Sequence, residues 1–183
     1  QAAGEALVSP VVEKIRTILG DVVYSTDGER LPALCARLLT ERKLTLACAE
    51  SCTGGLLTSA FVDIPGSSAF LLEGCVTYSD AAKKRTLSVS PETLEQYGAV
   101  SRECASEMAR GLLAVTQADV CLSTTGFAGP DGGTPDDPVG TVYVALADKE
   151  TVSVQRLRLF GDRARIRATA VLATLDMLRR YLQ

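Results

Sequence analysis

Short apolar runs alternate along the chain with segments whose apolar residues recur at helical spacing. The short runs predict buried strands at 44–49, 70–79 and 119–126. Helical spacing predicts helices at 11–19, 30–42, 54–63, 80–87, 103–117 and 162–182. Asp162 is placed to cap the last of these, and Ser90-Pro91 is typical of an N-cap followed by the first position of a further helix.

Two apolar runs near the end of the chain, 140–148 and 151–160, flank Lys149 and predict a β-hairpin. Near the beginning, 20–25 predicts a short strand and 26–29 a polar turn. Strands that alternate with helices indicate a layered α/β fold, to which the hairpin adds an antiparallel pair.

Three polar clusters come directly after predicted strands, at 49–55, 77–83 and 123–133. In layered α/β folds the ligand lies at the carboxyl ends of the strands. The three clusters are therefore predicted to form a single cleft.

Composition narrows the function classes. The 183 residues suit one domain, and a net charge of -3 provides no basic field for nucleic acid or an anionic membrane. No apolar run approaches the roughly 18 residues of a membrane span, and the opening does not have the pattern of a signal peptide. The six cysteines include no CxxC pair, so we expect reduced thiols, no zinc site and a cytoplasmic protein.

The stretch AESCTGG at 49–55 ends a strand and begins a helix, and it raises the possibility of nucleophilic chemistry. Ser51 could attack a carbonyl there, or Ser51 or Thr53 could simply cap the helix. The chain contains no histidine, which excludes a Ser-His-Asp triad. Lysine is the remaining common base, and the Lys83-Lys84-Arg85 run follows a strand end, although most such runs are solvated helix faces.

Other candidates in these clusters are weaker. Cys52 is a rival nucleophile without the usual imidazole partner, and we expect it to be packed behind the turn.

The segment GFAGPDGGTPDDPVG at 126–140, hereafter the glycine loop, holds five of the fifteen glycines and is not a P-loop. Its backbone amides could approach a phosphate or a sugar. For Asp131, Asp136 and Asp137, solvated turn positions are favoured over a metal site.

Taken together, AESCTGG at 49–55, TYSDAAK at 77–83 and TGFAGPDGGTPDDPVGTVY at 125–143 resemble the CinA C-terminal domain family, and FGDRARIR at 160–167 is similar to its GDR-x-x-I-R segment. The resemblance runs from about residue 30 to the end of the chain. It implies a three-layer α/β/α sandwich with a mixed, mostly parallel sheet. It also implies that 29–183 is the amidase domain and that 1–28 is a connector, as found in members with an N-terminal molybdopterin-binding-like domain.

The resemblance implies a nicotinamide-nucleotide amidase that hydrolyses nicotinamide mononucleotide (NMN) to nicotinic acid mononucleotide and ammonia. Ser51 would be its nucleophile, Lys83 its base and Tyr78 an assisting residue, with no metal and no cofactor. The implied substrate-binding residues are Thr53, Gly54, Gly55, Thr125, Gly126, Gly129, Gly132, Gly133 and Arg163. Arg165 and Arg167 compete with Arg163, and the oxyanion is expected on amides from Thr53 to Gly55.

The resemblance further implies a homo-oligomer, a dimer or larger. Two alternatives stay open from the sequence. The chain could be a non-catalytic nucleotide-sensing or interaction module accessory to the N-terminal domain, or a hydrolase that acts on a different amide or ester with the same residues.

Overall fold

The computed structural model describes the backbone of residues 2–183 and the side chains of residues 7–183. The α-helices of this part of the chain are α1 (Ala2–Leu19), α2 (Leu31–Arg42), α3 (Leu56–Val62), α4 (Asp80–Leu87), α5 (Pro91–Gln96), α6 (Arg102–Thr116) and α7 (Arg163–Leu182). The strands are β1 (Leu46–Glu50), β2 (Leu71–Val76), β3 (Val120–Gly126), β4 (Thr141–Ala147) and β5 (Val152–Arg158).

The strands form one sheet in the order β2-β1-β3-β4-β5. β1 is parallel to both β2 and β3, whereas β4 is antiparallel to β3 and to β5. Four strands therefore run in one direction and only β4 runs against them. The mixed, mostly parallel sheet implied by the resemblance is confirmed.

Helices cover both faces of the sheet because alternate strand residues point to opposite sides. Leu46 and Cys48 of β1 pack into one apolar cluster with residues of α2, α3 and α7. Ala47 and Ala49 of the same strand pack into another cluster, which contains Met108 of α6 and Leu87 of α4. Since both faces are buried, residues 46–49 of this strand are all apolar, and three layers result.

Most predicted elements are present. The helix predicted at 80–87 has the observed bounds Asp80–Leu87, and β4 and β5 form the predicted hairpin. Asp162 caps α7 by accepting a hydrogen bond of 2.8 Å from the amide of Arg165. Ser90 caps α5 through the amide of Thr93, at 3.0 Å.

The strand predicted at 20–25 is wrong. Gly20–Val22 forms a 3-10 helix, and the residues that follow join no strand of the described sheet. Val22 remains 62% exposed, so an apolar run alone did not produce a strand where no neighbouring strand was available to pair with it.

The predicted connector 1–28 comprises α1, this 3-10 helix and the turn that follows, and its residue 1 lies outside the described residues. Asp21 pairs with Arg180 of α7, which ties this segment to the end of the chain. None of the helices within 2–183 combines the length and hydropathy that a membrane span requires.

Candidate active site

The ends of the three neighbouring parallel strands bring the predicted site residues together. Ser51 follows β1, Thr77 and Tyr78 follow β2, and Thr125 lies near the end of β3. Lys83 is on α4, whose N-terminus is capped by the hydroxyl of Ser79 at 3.2 Å from the amide of Ala82. The cap starts the helix directly after the strand and directs Lys83 back toward the sheet.

Lys83 and Ser51 are in direct contact. The Nζ atom of Lys83 lies 3.1 Å from the Oγ atom of Ser51, and it also donates to the carbonyls of Thr77 at 3.0 Å and Tyr78 at 3.3 Å. Lys83 is only 1% exposed, and none of the ion pairs found among residues 7–183 involves it. The amine is therefore held by neutral oxygens and faces the serine hydroxyl.

The positive end of α3 is already occupied, by Glu50. This fully buried carboxylate accepts hydrogen bonds from the amides of Gly55 at 2.9 Å, Leu57 at 3.1 Å and Thr58 at 2.8 Å, and from the hydroxyl of Thr58 at 2.7 Å. A carboxylate at this position is stabilised by the free amides and by the helix dipole. The helix N-terminus is thus used for structure.

This arrangement corrects the expected oxyanion donors. The amide of Gly54 donates to the carbonyl of Ser51 at 3.2 Å, and that of Gly55 donates to Glu50. In the described part of the chain, no backbone carbonyl accepts from the amides of Cys52 and Thr53, the two that directly follow the nucleophile. We therefore move the oxyanion assignment from Thr53–Gly55 to Cys52 and Thr53.

Cys52 does not have the properties of a nucleophile. Its side chain is only 6% exposed and belongs to the core cluster beneath α7. Burial raises the pKa of the Cys52 thiol to about 11. A thiol with this pKa is neutral near pH 7, and the position behind the turn agrees with the expectation for this residue.

Ser51 and Lys83 open into a cavity of about 190 Å³. It is lined by Ser51, Cys52, Tyr78, Lys83, Ala99, Val100, Thr125, Gly126, Phe127, Ala128 and Arg163. A larger groove of about 390 Å³ runs between α2 and the segment 64–70, but it contains neither a lysine nor a serine. The smaller cavity is therefore the candidate site.

Half of the predicted site residues line this cavity: Ser51, Lys83, Tyr78, Thr125, Gly126 and Arg163. The others are not among its lining residues: Thr53, Gly54, Gly55, Gly129, Gly132 and Gly133. Thr53 is fully buried, and its hydroxyl shares a hydrogen bond of 2.6 Å with that of Thr124. Its side chain therefore supports the end of β3.

Four apolar lining residues were missed from the sequence. Phe127 and Ala128 stand inside the TGFAGP motif, so their place in the motif was an available signal. Ala99 and Val100 precede α6 and have no chemical signature. They reach the site because the carbonyl of Ala99 accepts a hydrogen bond of 2.6 Å from the Thr125 hydroxyl.

Arg163 joins the cavity rim to the glycine loop. Its Nη1 atom donates to the carbonyl of Gly129 at 2.7 Å, and its Nη2 atom donates to the hydroxyl of Tyr78 at 3.2 Å. The Tyr78 hydroxyl therefore contacts Arg163, while only the Tyr78 backbone reaches Lys83. Of the three competing arginines, Arg163 alone lines the cavity.

The tip of the glycine loop is held by contacts within the loop and with β4 and β5. Gly133 forms an isolated bridge with Pro138, and a side chain at Gly132 would meet the ring of Phe127 at 3.3 Å. Asp137 pairs with Arg156 at 2.7 Å and accepts from the hydroxyl of Tyr143 at 3.2 Å. These contacts give Asp137 a structural role.

Comparisons with known proteins agree with this fold. The family model described as the CinA C-terminal domain matches residues 28–182. A competence-damage inducible protein of Caldanaerobacter subterraneus subsp. tengcongensis is 48% identical over 177 residues, which are 97% of this chain and 43% of that protein. One of Acetivibrio thermocellus is 47% identical over 175 residues, 96% of this chain and 42% of that protein. The chain thus spans less than half the length of these relatives.

Solved structures are similar as well. The crystal structure of a CinA superfamily protein from Klebsiella pneumoniae matches with a TM-score of 0.81 and 39% identity, over 83% of this chain and 95% of that one. That of a competence/damage inducible protein from Agrobacterium tumefaciens matches with a TM-score of 0.80 and 39% identity, over 84% and 96%. The chain belongs to the CinA C-terminal domain family.

Proposed function

We propose that this chain is an amidohydrolase that converts NMN and water to nicotinic acid mononucleotide and ammonia. The observation that carries the proposal is the 3.1 Å contact between Ser51 Oγ and Lys83 Nζ at the wall of a cavity. A hydroxyl held against a buried amine is the arrangement that a serine nucleophile needs in a chain without histidine. NMN is proposed as the substrate because the sequence motifs resemble those of the family.

In the first half of the reaction, the amine of Lys83 takes the Ser51 proton while Oγ attacks the carboxamide carbon. The carbonyl oxygen becomes an oxyanion, for which the amides of Cys52 and Thr53 are the available donors. When the intermediate collapses, Lys83 returns the proton to the nitrogen, the C–N bond breaks, and ammonia leaves an acyl-enzyme.

In the second half, Lys83 takes a proton from water as the water attacks the acyl carbon. Collapse of this intermediate breaks the bond to Ser51 Oγ, which regains the proton from Lys83. The product is a carboxylic acid, and Ser51 and Lys83 return to their initial states. Both halves use the same base and the same oxyanion donors.

The lining of the cavity suggests one orientation for the nucleotide, which we propose here. Ala99, Val100 and Phe127 offer apolar walls to the pyridinium ring, with the carboxamide toward Ser51. Arg163 at the rim still has N–H groups that are not used by Gly129 or Tyr78, and these are suited to a phosphate. The carboxamide and the phosphate would thus lie at opposite ends of the site.

The main alternative is a module that binds a nucleotide without consuming it. Such a module has no requirement for a buried amine aligned on a serine hydroxyl. The contact between Lys83 and Ser51 therefore favours an enzyme.

Ammonia release and product mass, measured with the purified chain and NMN at neutral pH, test the proposal. We expect stoichiometric ammonia and nicotinic acid mononucleotide. Ser51→Ala and Lys83→Met should each lower kcat by about 10³-fold or more. Lys84→Met is the matched control, because Lys84 is the exposed neighbour on α4 and should retain full activity.

The outcomes separate the hypotheses. A folded chain that binds NMN without releasing ammonia supports the binding module. Hydrolysis of other amides but not of NMN supports a different substrate for the same two residues. Full turnover by Ser51→Ala would remove the assigned nucleophile.

A further inference from the structure

Arg167 of α7 is bound to the backbone directly after the nucleophile. Its Nε atom donates to the carbonyl of Cys52 at 3.1 Å, and its Nη2 atom donates to the carbonyl of Thr53 at 2.7 Å. The side chain is half-buried and does not line the cavity. Arg167 therefore acts on the turn and does not touch the substrate.

The carbonyl of Cys52 belongs to the same peptide unit as the amide N–H of Thr53. A cation that donates to this carbonyl draws electron density from the peptide and makes its N–H a stronger donor. That N–H is one of the two amides after Ser51 that donate to no backbone carbonyl in the described part of the chain. The contact therefore both orients and polarises a candidate oxyanion donor.

The segment 51–55, hereafter the Ser51 turn, is held from two sides. Glu50 accepts from the amide of Gly55 at 2.9 Å, and Arg167 binds the carbonyls of Cys52 and Thr53. Gly54 has a φ of +59°, and a Cβ at this position would lie 3.2 Å from Arg167 Nη2. The glycine thus leaves the space in which the guanidinium reaches the turn.

We propose that Arg167 is a positioning residue that fixes the amides of Cys52 and Thr53, and polarises that of Thr53, as oxyanion donors for attack by Ser51. The inference rests on the proposed function, because NMN is taken from there as the substrate. The choice of Arg167 rests on the hydrogen bonds that it makes to the turn. Because an oxyanion exists only after attack, Arg167 contributes to kcat and not to binding of NMN.

The first test measures kcat and KM for NMN in Arg167→Ala. We expect kcat to fall by about 10- to 100-fold, less than the loss of an oxyanion donor itself, while KM stays within about 2-fold. Methylguanidinium added to Arg167→Ala should restore part of kcat, and it should restore none in Ser51→Ala. A kcat within about 2-fold of the unmodified chain, or a loss that appears only in KM, overturns the proposal.

Arg165→Ala is the matched control. Arg165 is an exposed arginine on the same helix, and within residues 7–183 its guanidinium forms no hydrogen bond or ion pair, so its loss should leave both constants unchanged. Thermal unfolding is recorded for each variant. If the unfolded fraction of Arg167→Ala accounts for its whole loss of kcat, the proposal is overturned.

A second test does not depend on NMN. An alkyl fluorophosphonate is attacked by Ser51 Oγ, so that an O–P bond forms, the P–F bond breaks, fluoride leaves and Lys83 takes the proton. We expect Arg167→Ala to be labelled about 10-fold more slowly than the unmodified chain, with mass spectrometry placing the label on Ser51. Equal labelling rates overturn the inference even if NMN is hydrolysed.

The two tests separate the failure of the inference from the failure of the proposed function. If the unmodified chain is labelled but does not deamidate NMN, the substrate is wrong, and slower labelling of Arg167→Ala still supports the positioning role. If the unmodified chain is neither labelled nor active, Ser51 is not an activated nucleophile and both proposals are overturned.

Discussion

The Ser51 turn and the glycine loop border the same cavity but are held in different ways. Ser51, Cys52 and Thr53 are buried, and Arg167, from a distant part of the chain, binds the carbonyls of Cys52 and Thr53. Most residues of the glycine loop tip, 130–137, are exposed, and the tip is held by contacts within the loop and with β4 and β5. The start of the loop lines the cavity, and Arg163 at the rim is bound to the carbonyl of Gly129.

This difference assigns separate tasks to the two segments. A turn with fixed backbone groups suits the reacting centre, because oxyanion donors must be in place before the charge develops. A loop with few buried contacts can adjust around the distant part of a nucleotide. Changes in the turn should therefore affect kcat and stability, and changes on the loop side should affect KM.

The largest effect is expected from Glu50→Gln, which alters the turn without touching the cavity. In the unmodified chain, three backbone amides donate to the Glu50 carboxylate. The NH₂ group of a glutamine cannot accept from them, so at least one buried hydrogen bond is lost. We expect the free energy of unfolding to fall by about 2–4 kcal/mol and kcat to fall with it. Chemical denaturation and steady-state kinetics measure both quantities.

Glu73→Gln is the control for that prediction, because Glu73 is an exposed glutamate on β2 and its change should have little effect. If Glu50→Gln unfolds with the same free energy as the unmodified chain, the carboxylate is not the support that the structure indicates. The contrast between a fixed turn and an adjustable loop would then fail.

Part of this site could be predicted from the sequence. The polar clusters that contain Ser51, Lys83 and Thr125 were identified because each comes at the end of a predicted strand, and such strand ends meet at one edge of the sheet. Lys83 was selected over Lys84 and Arg85 only by the family motif, since a run of three cations does not show which one points inward.

What the sequence did not predict depends on contacts made in three dimensions. Glu50 was part of the quoted motif, but a carboxylate that caps a helix from the end of the preceding strand has no spacing rule like that of a serine cap. The amides of Gly54 and Gly55 were expected to bind the oxyanion because the oxygens that occupy them are not visible in the sequence. The sequence did not distinguish Arg167 from the two other arginines near it, and its contact with the turn depends on how α7 packs.

An intermediate effect is expected from Arg163→Ala, on the loop side of the comparison. The substitution removes charge-assisted hydrogen bonds to the phosphate, so KM for NMN should rise about 10- to 100-fold while kcat changes by less than about 3-fold. Nicotinamide riboside, which has no phosphate, should show the same KM with both proteins. Initial rates with the two substrates measure the difference.

A rise in KM that is equal for NMN and nicotinamide riboside would contradict that prediction, because it would show that Arg163 acts by shaping the cavity through Tyr78 and Gly129. Arg165→Ala again serves as the control for loss of a positive charge near the start of α7.

The smallest effect is expected at Cys52, which lies inside the turn beside the nucleophile. Burial raises the pKa of its thiol to about 11, so the reactive thiolate appears only as the pH approaches that value. Iodoacetamide at pH 7.5 should therefore leave activity intact and Cys52 unlabelled, with labelling increasing above about pH 10. Cys52→Ala should retain kcat within about 3-fold, since Ser51 and the two amides remain. Peptide mapping locates the label, and activity is measured on the same samples. Rapid inactivation at pH 7.5 with the label on Cys52 would mean that this side of the turn opens in solution. The turn and the glycine loop would then differ less in rigidity than the structure indicates.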